Sequence, residues 1–227
     1  MNKPTKFAEG LFAHAIANAD VREQLDSLSA PYKKLMAYYR CAMMEISTKF
    51  NVLNEALSLQ YDRNPIESIK TRIKSIESIM DKLSRKGLPI SLESIEQNIH
   101  DVAGIRVICS FPSDIYMLAD CLLNQDDVIL IETKDYIKNP KSNGYRSLHL
   151  IVGIPIFLHD HKKNMNVEIQ LRTISMDWWA SLEHKIRYKK DIENPKEFEE
   201  QLYTCAQVGA NLDNQMENLY KKVNGIT

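Results

Sequence analysis

The chain contains Ser142-Asn143-Gly144-Tyr145-Arg146-Ser147-Leu148-His149 and, nineteen residues after His149, Glu168-Ile169-Gln170-Leu171-Arg172-Thr173. The first segment is typical of a loop that leads into a strand, and the second of a strand. Together they concentrate an amide, an aromatic ring, cations, an imidazole and a carboxylate beside apolar strand residues. A polar hairpin at a sheet edge would not need so many donors and acceptors, so the pattern favours a site for nucleotide phosphates.

Length and composition limit the classes of protein to which the chain can belong. It has 227 residues, 44% of them hydrophobic and 26% charged, which suits one globular domain with helical additions. Its formal net charge is −1, so no general field attracts nucleic acid or membrane. Any site for a polyanion must therefore be a local concentration of lysine and arginine.

The sequence carries no signal for a cysteine metal site, for export or for membrane insertion. Its four cysteines form no Cys-x-x-Cys pair, which gives little support to a zinc site. No charged start is followed by an apolar run, and no run reaches about 18 apolar residues. We therefore expect a cytoplasmic protein without a membrane partner.

Hydrophobic periodicity predicts alternating helices and strands. One helix opens at Pro31, and its apolar stripe over 35–57 suits packing on a domain or on another subunit. A second helix is expected over 67–86. The remaining elements are a short helix capped by Ser91, a strand over 102–111, a helix from Pro112, strands over 128–136, 145–157 and 166–172, a helix over 175–190 and a last helix from Pro195.

The order of these elements indicates the fold class. We expect an α/β (or α+β) domain with one mixed β-sheet flanked by helices. Long helices should lie at its N- and C-terminal ends.

Two carboxylates fall on strands that could be neighbours. Asp101 opens the first predicted strand and Glu168 lies in the last one. Such a pair can hold Mg²⁺, whose other ligands are commonly water and phosphate oxygens. Without other support, either residue could equally be a surface charge.

A row of polar side chains on the second predicted helix could hold a triphosphate. The alternative is a solvated helix face, but this row lies just before the strand that Asp101 opens. The chain has neither G-x-x-x-x-G-K-[ST] nor G-x-G-x-x-G, so cations and a metal would have to hold the phosphates. The members of the row are Arg72, Lys74, Ser78, Lys82 and Arg85.

A second basic patch leads to an aromatic ring. Lys134, Lys138 and Lys141 precede Tyr145, and Asn143 lies beside it. A tyrosine next to lysines suits stacking on a base while the lysines meet its phosphates. The alternative for the patch is a turn whose lysines serve solubility. The alternative for His149, which follows Tyr145 on the predicted strand, is a structural role.

Two dipeptides, His100-Asp101 and His159-Asp160, resemble the metal-binding pair of HD phosphohydrolases. That family places its ligands on helices and needs further histidines and aspartates. Here the first dipeptide leads into a predicted strand and the second lies in a polar turn, so a hydrolase is not favoured.

Five motifs occur in an order that resembles a known family. They are Arg72-Ile-Lys74-Ser-Ile, Asp101-Val-Ala-Gly-Ile-Arg106-Val, Lys134 through His149, Glu168-Ile-Gln170-Leu-Arg172-Thr173 and Trp179-Ala-Ser-Leu-Glu183-His184-Lys-Ile-Arg187-Tyr188-Lys189. Over residues 65–190 the chain resembles the synthetase domain of RelA/SpoT homologues, specifically the single-domain small alarmone synthetases.

This resemblance implies a nucleotidyltransferase-like sheet and a GTP pyrophosphokinase. Such an enzyme moves the β,γ-diphosphate of ATP to the 3′-hydroxyl of GTP or GDP and releases AMP. The product, pppGpp or ppGpp, is the alarmone of the stringent response. The chain lacks the motifs of the hydrolase and regulatory domains of long members, so we expect synthesis without degradation.

The resemblance also implies roles on the ATP side. Asp101 and Glu168 would hold Mg²⁺, and Glu168 would also take the proton from the 3′-hydroxyl. Arg72 and Arg106 would sandwich adenine. The residues implied for the ATP phosphates are Lys74, Ser78, Lys82 and Arg85.

On the acceptor side, the resemblance implies that Tyr145 stacks on guanine. The residues implied for the acceptor's phosphates and ribose are Lys134, Lys141, Asn143, His149 and Gln170.

The domain prediction divides the chain into three parts. Residues 1–64 are a helical region, 65–190 the synthetase core and 191–227 a C-terminal helix for oligomerisation. Small members of the family form homotetramers through flanking helices, and the stripes over 35–57 and 198–219 are compatible with that.

Several alternatives stay open at this stage. One is a related pyrophosphokinase with another acceptor such as tRNA, and another is an inactive module that binds nucleotide or RNA. Regulation by single-stranded RNA has no supporting feature in the sequence. Glu132 stands where long members often carry arginine, so the preference between GTP and GDP is not predicted.

Overall fold

The computed structural model of the chain describes residues 19–61, 63–187 and 194–225. The helices in these ranges are α1 (Ala19–Tyr61), α2 (Ile76–Arg85), α3 (Leu92–Asn98), α4 (Pro112–Leu123), α5 (Ile174–Arg187) and α6 (Pro195–Val223). The strands are β1 (Ile66–Ile73), β2 (Ala103–Cys109), β3 (Ile129–Asp135), β4 (Leu148–Phe157) and β5 (Lys162–Thr173). In the part of the chain that these ranges cover, no helix is both long and apolar enough to cross a membrane.

The strands form one mixed sheet in the order β1-β2-β5-β4-β3. β2 and β5 are parallel, and all other neighbours are antiparallel. A parallel pair needs a long crossover, and here the chain passes through α4, β3 and β4 between β2 and β5. The predicted fold class, a mixed sheet flanked by helices with long helices at both ends, is confirmed.

α1 lies across one face of the sheet and supplies much of the hydrophobic core. Tyr39, Ala42, Ile46 and Phe50, spaced three or four residues apart, are at most 1% exposed. They belong to one cluster with apolar side chains of β2, β4 and β5. Burying each isoleucine or phenylalanine contributes about 1.5–3 kcal/mol. The stripe predicted over 35–57 thus packs on the chain's own sheet and leaves the opposite face for polar side chains.

The prediction of a helix over 67–86 is wrong in its first half, which is strand β1. Ile69, Ile73 and Ile76 have the spacing of a helix, but β-branched residues also suit a pleated surface. β1 pairs with β2 along its length and satisfies backbone groups that would otherwise be unpaired. α2 begins only at Ile76, where Ser75 Oγ caps it by accepting from the backbone N–H of the third helical residue.

The first helix begins earlier than predicted. Proline suits a first helical turn, which led to a predicted start at Pro31, whereas α1 begins at Ala19 and carries Pro31 inside it. An interior proline removes one backbone hydrogen bond. Because Pro31 is exposed, the carbonyl that loses its partner can face water.

Two strand boundaries differ from the prediction by three or four residues. β5 begins four residues early, because it pairs with β4 as far as Phe157 and Lys162. β4 begins three residues late, at Leu148, so residues 136–147 form a loop between β3 and β4. The helix predicted over 175–190 is α5, and residues 188–190 of that prediction lie outside the described residues.

Candidate active site

Five polar side chains form a row across the sheet. The strand register pairs Lys70 with Arg106, Arg106 with Gln170, Gln170 with His149, and His149 with Lys134. Paired residues point to the same face of a sheet, here the face away from α1. Four of the five are predicted site residues, so the register of the sheet brings them together.

The neighbouring row forms the floor of a cleft of about 320 Å³. In that row Arg72 pairs with Gly104 and Gly104 with Glu168. Asp101, two residues before β2, lines the same cleft. This volume falls within the ~300–1,000 Å³ of ligand pockets. The predicted site residues that line the cleft are Arg72, Lys74, Asp101, Arg106, Glu168 and Gln170.

Asp101 is held by two of the predicted phosphate-binding lysines. Lys74 Nζ lies 2.8 Å from its Oδ2, and Lys82 Nζ lies 2.8 Å from its Oδ1. Burial alone would raise the pKa of Asp101, but the two ammonium groups outweigh it and hold the pKa below its usual range. The ionised Asp101 and Lys74 therefore lie in the wall of the cleft, and Lys82 contacts Asp101 beside it.

Glu168 lies in the middle of β5 and is also ionised. Gln170 Nε2 donates to its Oε2 at 3.0 Å, and His149 Nδ1 lies 3.3 Å from its Oε1. Burial acts to raise the pKa of Glu168, and the negative charge of Asp101 acts in the same direction. The bonds from His149 and Gln170 outweigh both, so the pKa lies below the usual range. A carboxylate in this state can hold a metal ion or accept a proton.

The hydroxyl of Tyr145 joins a hydrogen-bond network beside Glu168. Arg172 Nη2 donates to it at 2.6 Å, and it lies 2.8 Å from His149 Nε2. A guanidinium can only donate, so the phenol oxygen accepts from Arg172 and its own proton is directed to His149. Burial raises the pKa of Tyr145, and the phenol therefore keeps that proton.

The loop that carries Tyr145 folds into a tight turn. Gly144 N donates to Lys141 O at 2.8 Å and Tyr145 N to Asn143 Oδ1 at 3.1 Å, while Gly144 has a φ of 87°. The Lys141 ammonium lies 5.0 Å from the centroid of the Tyr145 ring. A second cleft of about 490 Å³ borders this turn, and Lys141, Asn143 and Tyr145 line it. A cation, an amide and a ring therefore meet at its edge.

Three predicted residues lie at the margins of the site. Ser78 lies in the first turn of α2, and Arg85 donates to Asp81 O at 3.4 Å in its last turn. Lys134 contacts Glu132 at 3.0 Å on the edge strand β3. Within the described ranges, none of the three lines either cleft.

Sequence reasoning missed three charged residues of the site: Lys70, Arg172 and Asp177. Asp177, in the first turn of α5, contacts Lys70 at 3.1 Å, Arg106 at 2.9 Å and Arg172 at 3.4 Å. The two-residue alternation Glu168-x-Gln170-x-Arg172 could have placed Arg172 on this face. Lys70 was hidden by the helix assignment, and no local pattern marks Asp177.

Comparisons of the sequence with known proteins show the family. Residues 71–193 match the family model described as the region found in RelA / SpoT proteins. The GTP pyrophosphokinase YwaC of Bacillus subtilis is 42% identical over 88% of this chain and 96% of its own length.

Two solved structures are similar in fold and sequence. Small alarmone synthetase 2 of Bacillus subtilis has a TM-score of 0.76 at 42% identity, over 84% of this chain and 98% of that one. Small alarmone synthetase 1 of Bacillus subtilis, bound to its product pppGpp, has a TM-score of 0.76 at 32% identity, over 85% and 98%. The chain therefore belongs to the RelA/SpoT family, among the small alarmone synthetases.

Proposed function

We propose that this chain is a GTP pyrophosphokinase. It transfers the β,γ-diphosphate of ATP to the 3′-hydroxyl of GTP or GDP, releases AMP and makes pppGpp or ppGpp. The observation that carries the proposal is the cleft that Asp101 and Glu168 share, with Lys74 on Asp101 and with Tyr145 linked to Glu168 through His149. Transfer of a phosphoryl-type group depends on positioning and charge neutralisation. The carboxylates, lysines and arginines of the site can supply both.

The donor ATP binds on the side of β1, β2 and α2. Arg72 and Arg106 lie on paired strands and both line the cleft, where planar guanidinium groups can stack on the two faces of adenine. Lys74 and Lys82 now contact Asp101, and they can exchange it for phosphate oxygens. Ser78 and Arg85 extend this cationic side along α2.

Asp101 and Glu168 are the residues that would hold Mg²⁺. The fit is supported by two ionised carboxylates in one cleft, since Mg²⁺ in phosphate sites is usually held by one or two carboxylates. When bound, the ion neutralises charge on the donor phosphates. The lysines and arginines of the cleft neutralise the rest of the negative charge on the donor phosphates.

The acceptor GTP or GDP binds on the side of the loop over 136–147. Tyr145 stacks on guanine, while Lys134, Lys141, Asn143, His149 and Gln170 contact the phosphates and ribose. Glu168 accepts the proton of the 3′-hydroxyl at a carboxylate oxygen. Its lowered pKa makes it a weak base, so positioning and charge neutralisation must carry most of the catalysis.

The outer face of α6 supports self-association, and we propose the homotetramer that is typical of small members. An exposed apolar stripe repeats every three or four residues: Val208, Leu212, Met216, Leu219 and Val223. An unpartnered stripe of this kind marks an interaction surface. Leu212→Glu should lower the molar mass measured by light scattering; an unchanged mass contradicts this use of α6.

A label-transfer assay tests the proposed activity. The chain is incubated with Mg²⁺, ATP labelled on its terminal phosphate and one acceptor: GDP, GTP or tRNA. We expect labelled ppGpp or pppGpp and an equal amount of AMP. Label on tRNA identifies the alternative acceptor, and binding without transfer identifies an inactive module. Glu168→Gln serves as the control, since it keeps the shape of the site and removes the carboxylate.

A further inference from the structure

Arg172 is a buried cation for which the proposed chemistry has no use. Its side chain is 4% exposed. Its Nη2 donates to Tyr145 Oη at 2.6 Å and to Gln170 Oε1 at 2.8 Å, and its Nε donates to Ser147 Oγ at 3.4 Å. The guanidinium also lies 5.2 Å from the centroid of the Tyr145 ring. Arg172 thus fixes the ring from the side of the hydroxyl.

Asp177 is the carboxylate that balances this cation, and it reaches the other half of the site. Its Oδ1 accepts from Arg106 Nη1 at 2.9 Å and from Arg172 Nη1 at 3.4 Å, while its Oδ2 contacts Lys70 Nζ at 3.1 Å. The Asp177 side chain is 11% exposed. Asp177 Oδ1 therefore links Arg106, which is proposed to stack on adenine, to Arg172. Arg172 in turn holds Tyr145, the proposed stacking surface for guanine.

The charges make this arrangement sensitive to its carboxylate. Burial lowers the pKa of Arg172, and the charge of Arg106 acts in the same direction, whereas Tyr145 and Asp177 oppose both. Without Asp177, three cations would face one another in a partly dry site. Like charges in such a site repel strongly, so Arg106 and Arg172 would separate.

We propose that Arg172 and Asp177 are positioning residues that couple the two nucleotide subsites. A donor base that stacks on Arg106 fixes Asp177, Asp177 fixes Arg172, and Arg172 fixes the Tyr145 ring for the acceptor base. Filling either subsite then favours filling the other, because coupling between two sites is reciprocal. The inference rests on the proposed function for the identity of the two ligands.

The test compares binding of GDP with and without a second ligand. The second ligand is a saturating ATP analogue with a methylene bridge between its α and β phosphorus atoms, which prevents transfer. The ratio of the two dissociation constants measures the coupling. For the unmodified chain we expect about 5–150-fold, the usual range for coupled sites. Calorimetry at a fixed magnesium and salt concentration gives both constants.

Two variants remove the link from opposite ends. Asp177→Asn keeps an oxygen acceptor but removes the charge, and Tyr145→Phe keeps the stacking ring but removes the hydroxyl that accepts from Arg172. We expect the ratio to fall to about one in both. A tyrosine that serves only as a stacking surface would make Tyr145→Phe neutral. A ratio in either variant equal to that of the unmodified chain overturns the proposal.

A matched control separates positioning from general destabilisation. Asp114 is also a buried carboxylate paired with an arginine, at 2.9 Å from Arg63, and it lies on α4. Asp114→Asn should lower the melting temperature as Asp177→Asn does, but it should keep the coupling ratio. Loss of the ratio in both variants overturns the proposal. If Asp177→Asn does not fold, Tyr145→Phe alone decides.

The outcomes also distinguish this proposal from the proposed function. If both nucleotides bind cooperatively but no labelled product forms, the coupling proposal holds and the proposed activity fails. If labelled product forms while the two ligands bind independently, the proposed activity holds and the coupling proposal fails.

Discussion

The proposed donor and acceptor halves of the site are built by different means. Arg72 and Arg106 of the donor half lie on β1 and β2, whose backbone ladder sets their separation. Tyr145, the proposed stacking surface for the acceptor base, lies in the loop over 136–147. This loop packs against α6. An added Cβ at Gly144 would lie 2.5 Å from the Cβ of Ala206.

This difference predicts which parts of the chain control which substrate. Sheet register is fixed by many backbone hydrogen bonds, so the donor half should be insensitive to changes in α6. α6 is docked mainly by side-chain contacts, such as the bonds from Thr173 Oγ1 to Asp213 Oδ2 at 2.7 Å and from Trp179 Nε1 to Leu202 O at 2.9 Å. Changes at the interface between α6 and the loop should therefore act on the acceptor alone.

The largest effect is expected where the two halves meet. Glu168→Gln should lower kcat by about 10²–10⁴-fold, because it removes the carboxylate that accepts the proton. Both nucleotides should still bind, since the cations and Tyr145 remain. Rapid-quench turnover and calorimetry check the two parts of this expectation. Turnover equal to that of the unmodified chain removes the role assigned to Glu168.

Removal of divalent metal should have an effect of similar size. A chelator should stop product formation, and excess Mg²⁺ should restore it, because Asp101 and Glu168 would otherwise meet the donor phosphates uncompensated. Stacking on Tyr145 needs no metal, so binding of guanosine should persist. Full turnover in metal-free buffer contradicts the proposed metal site.

Alanine at each base platform should separate the two halves. Tyr145→Ala should raise the acceptor KM by a stacking loss of about 1–3 kcal/mol, with little change in the dissociation constant of ATP measured without acceptor. Arg106→Ala should do the reverse, through loss of a cation over the adenine ring. Initial rates over both concentrations decide this. An unchanged acceptor KM in Tyr145→Ala counts against stacking there.

A smaller effect is expected at the contact between α6 and the loop. Gly144→Ala should raise the acceptor KM and leave the dissociation constant of ATP measured without acceptor unchanged, because its Cβ meets Ala206 and its φ of 87° disfavours a side chain. The control is Gly225→Ala, which has a φ of 66° and nothing within 4 Å of the added Cβ. An equal rise in the dissociation constant of ATP measured without acceptor would contradict the separate construction of the two halves.

The sequence predicted those parts of the site that depend on local pattern. β2 was found because an apolar run with β-branched residues marks a buried strand, whereas the role of Gln170 on β5 came from the family resemblance. The sequence analysis missed β1 because isoleucines at helical spacing also fit a strand. Lys70 lies on β1, so it was missed as well. Asp177 lies far along the chain from Lys70 and Arg106, and only the folded sheet brings the three together.

We propose that the site passes an intact diphosphate from ATP to a guanosine nucleotide. This proposal is tested most directly with ATP that carries one label on the β-phosphorus and another on the γ-phosphorus. We expect both labels to appear in the guanosine product in equal amounts and the released AMP to carry neither. Transfer of the γ-label alone, with the β-label left in ADP, would contradict it.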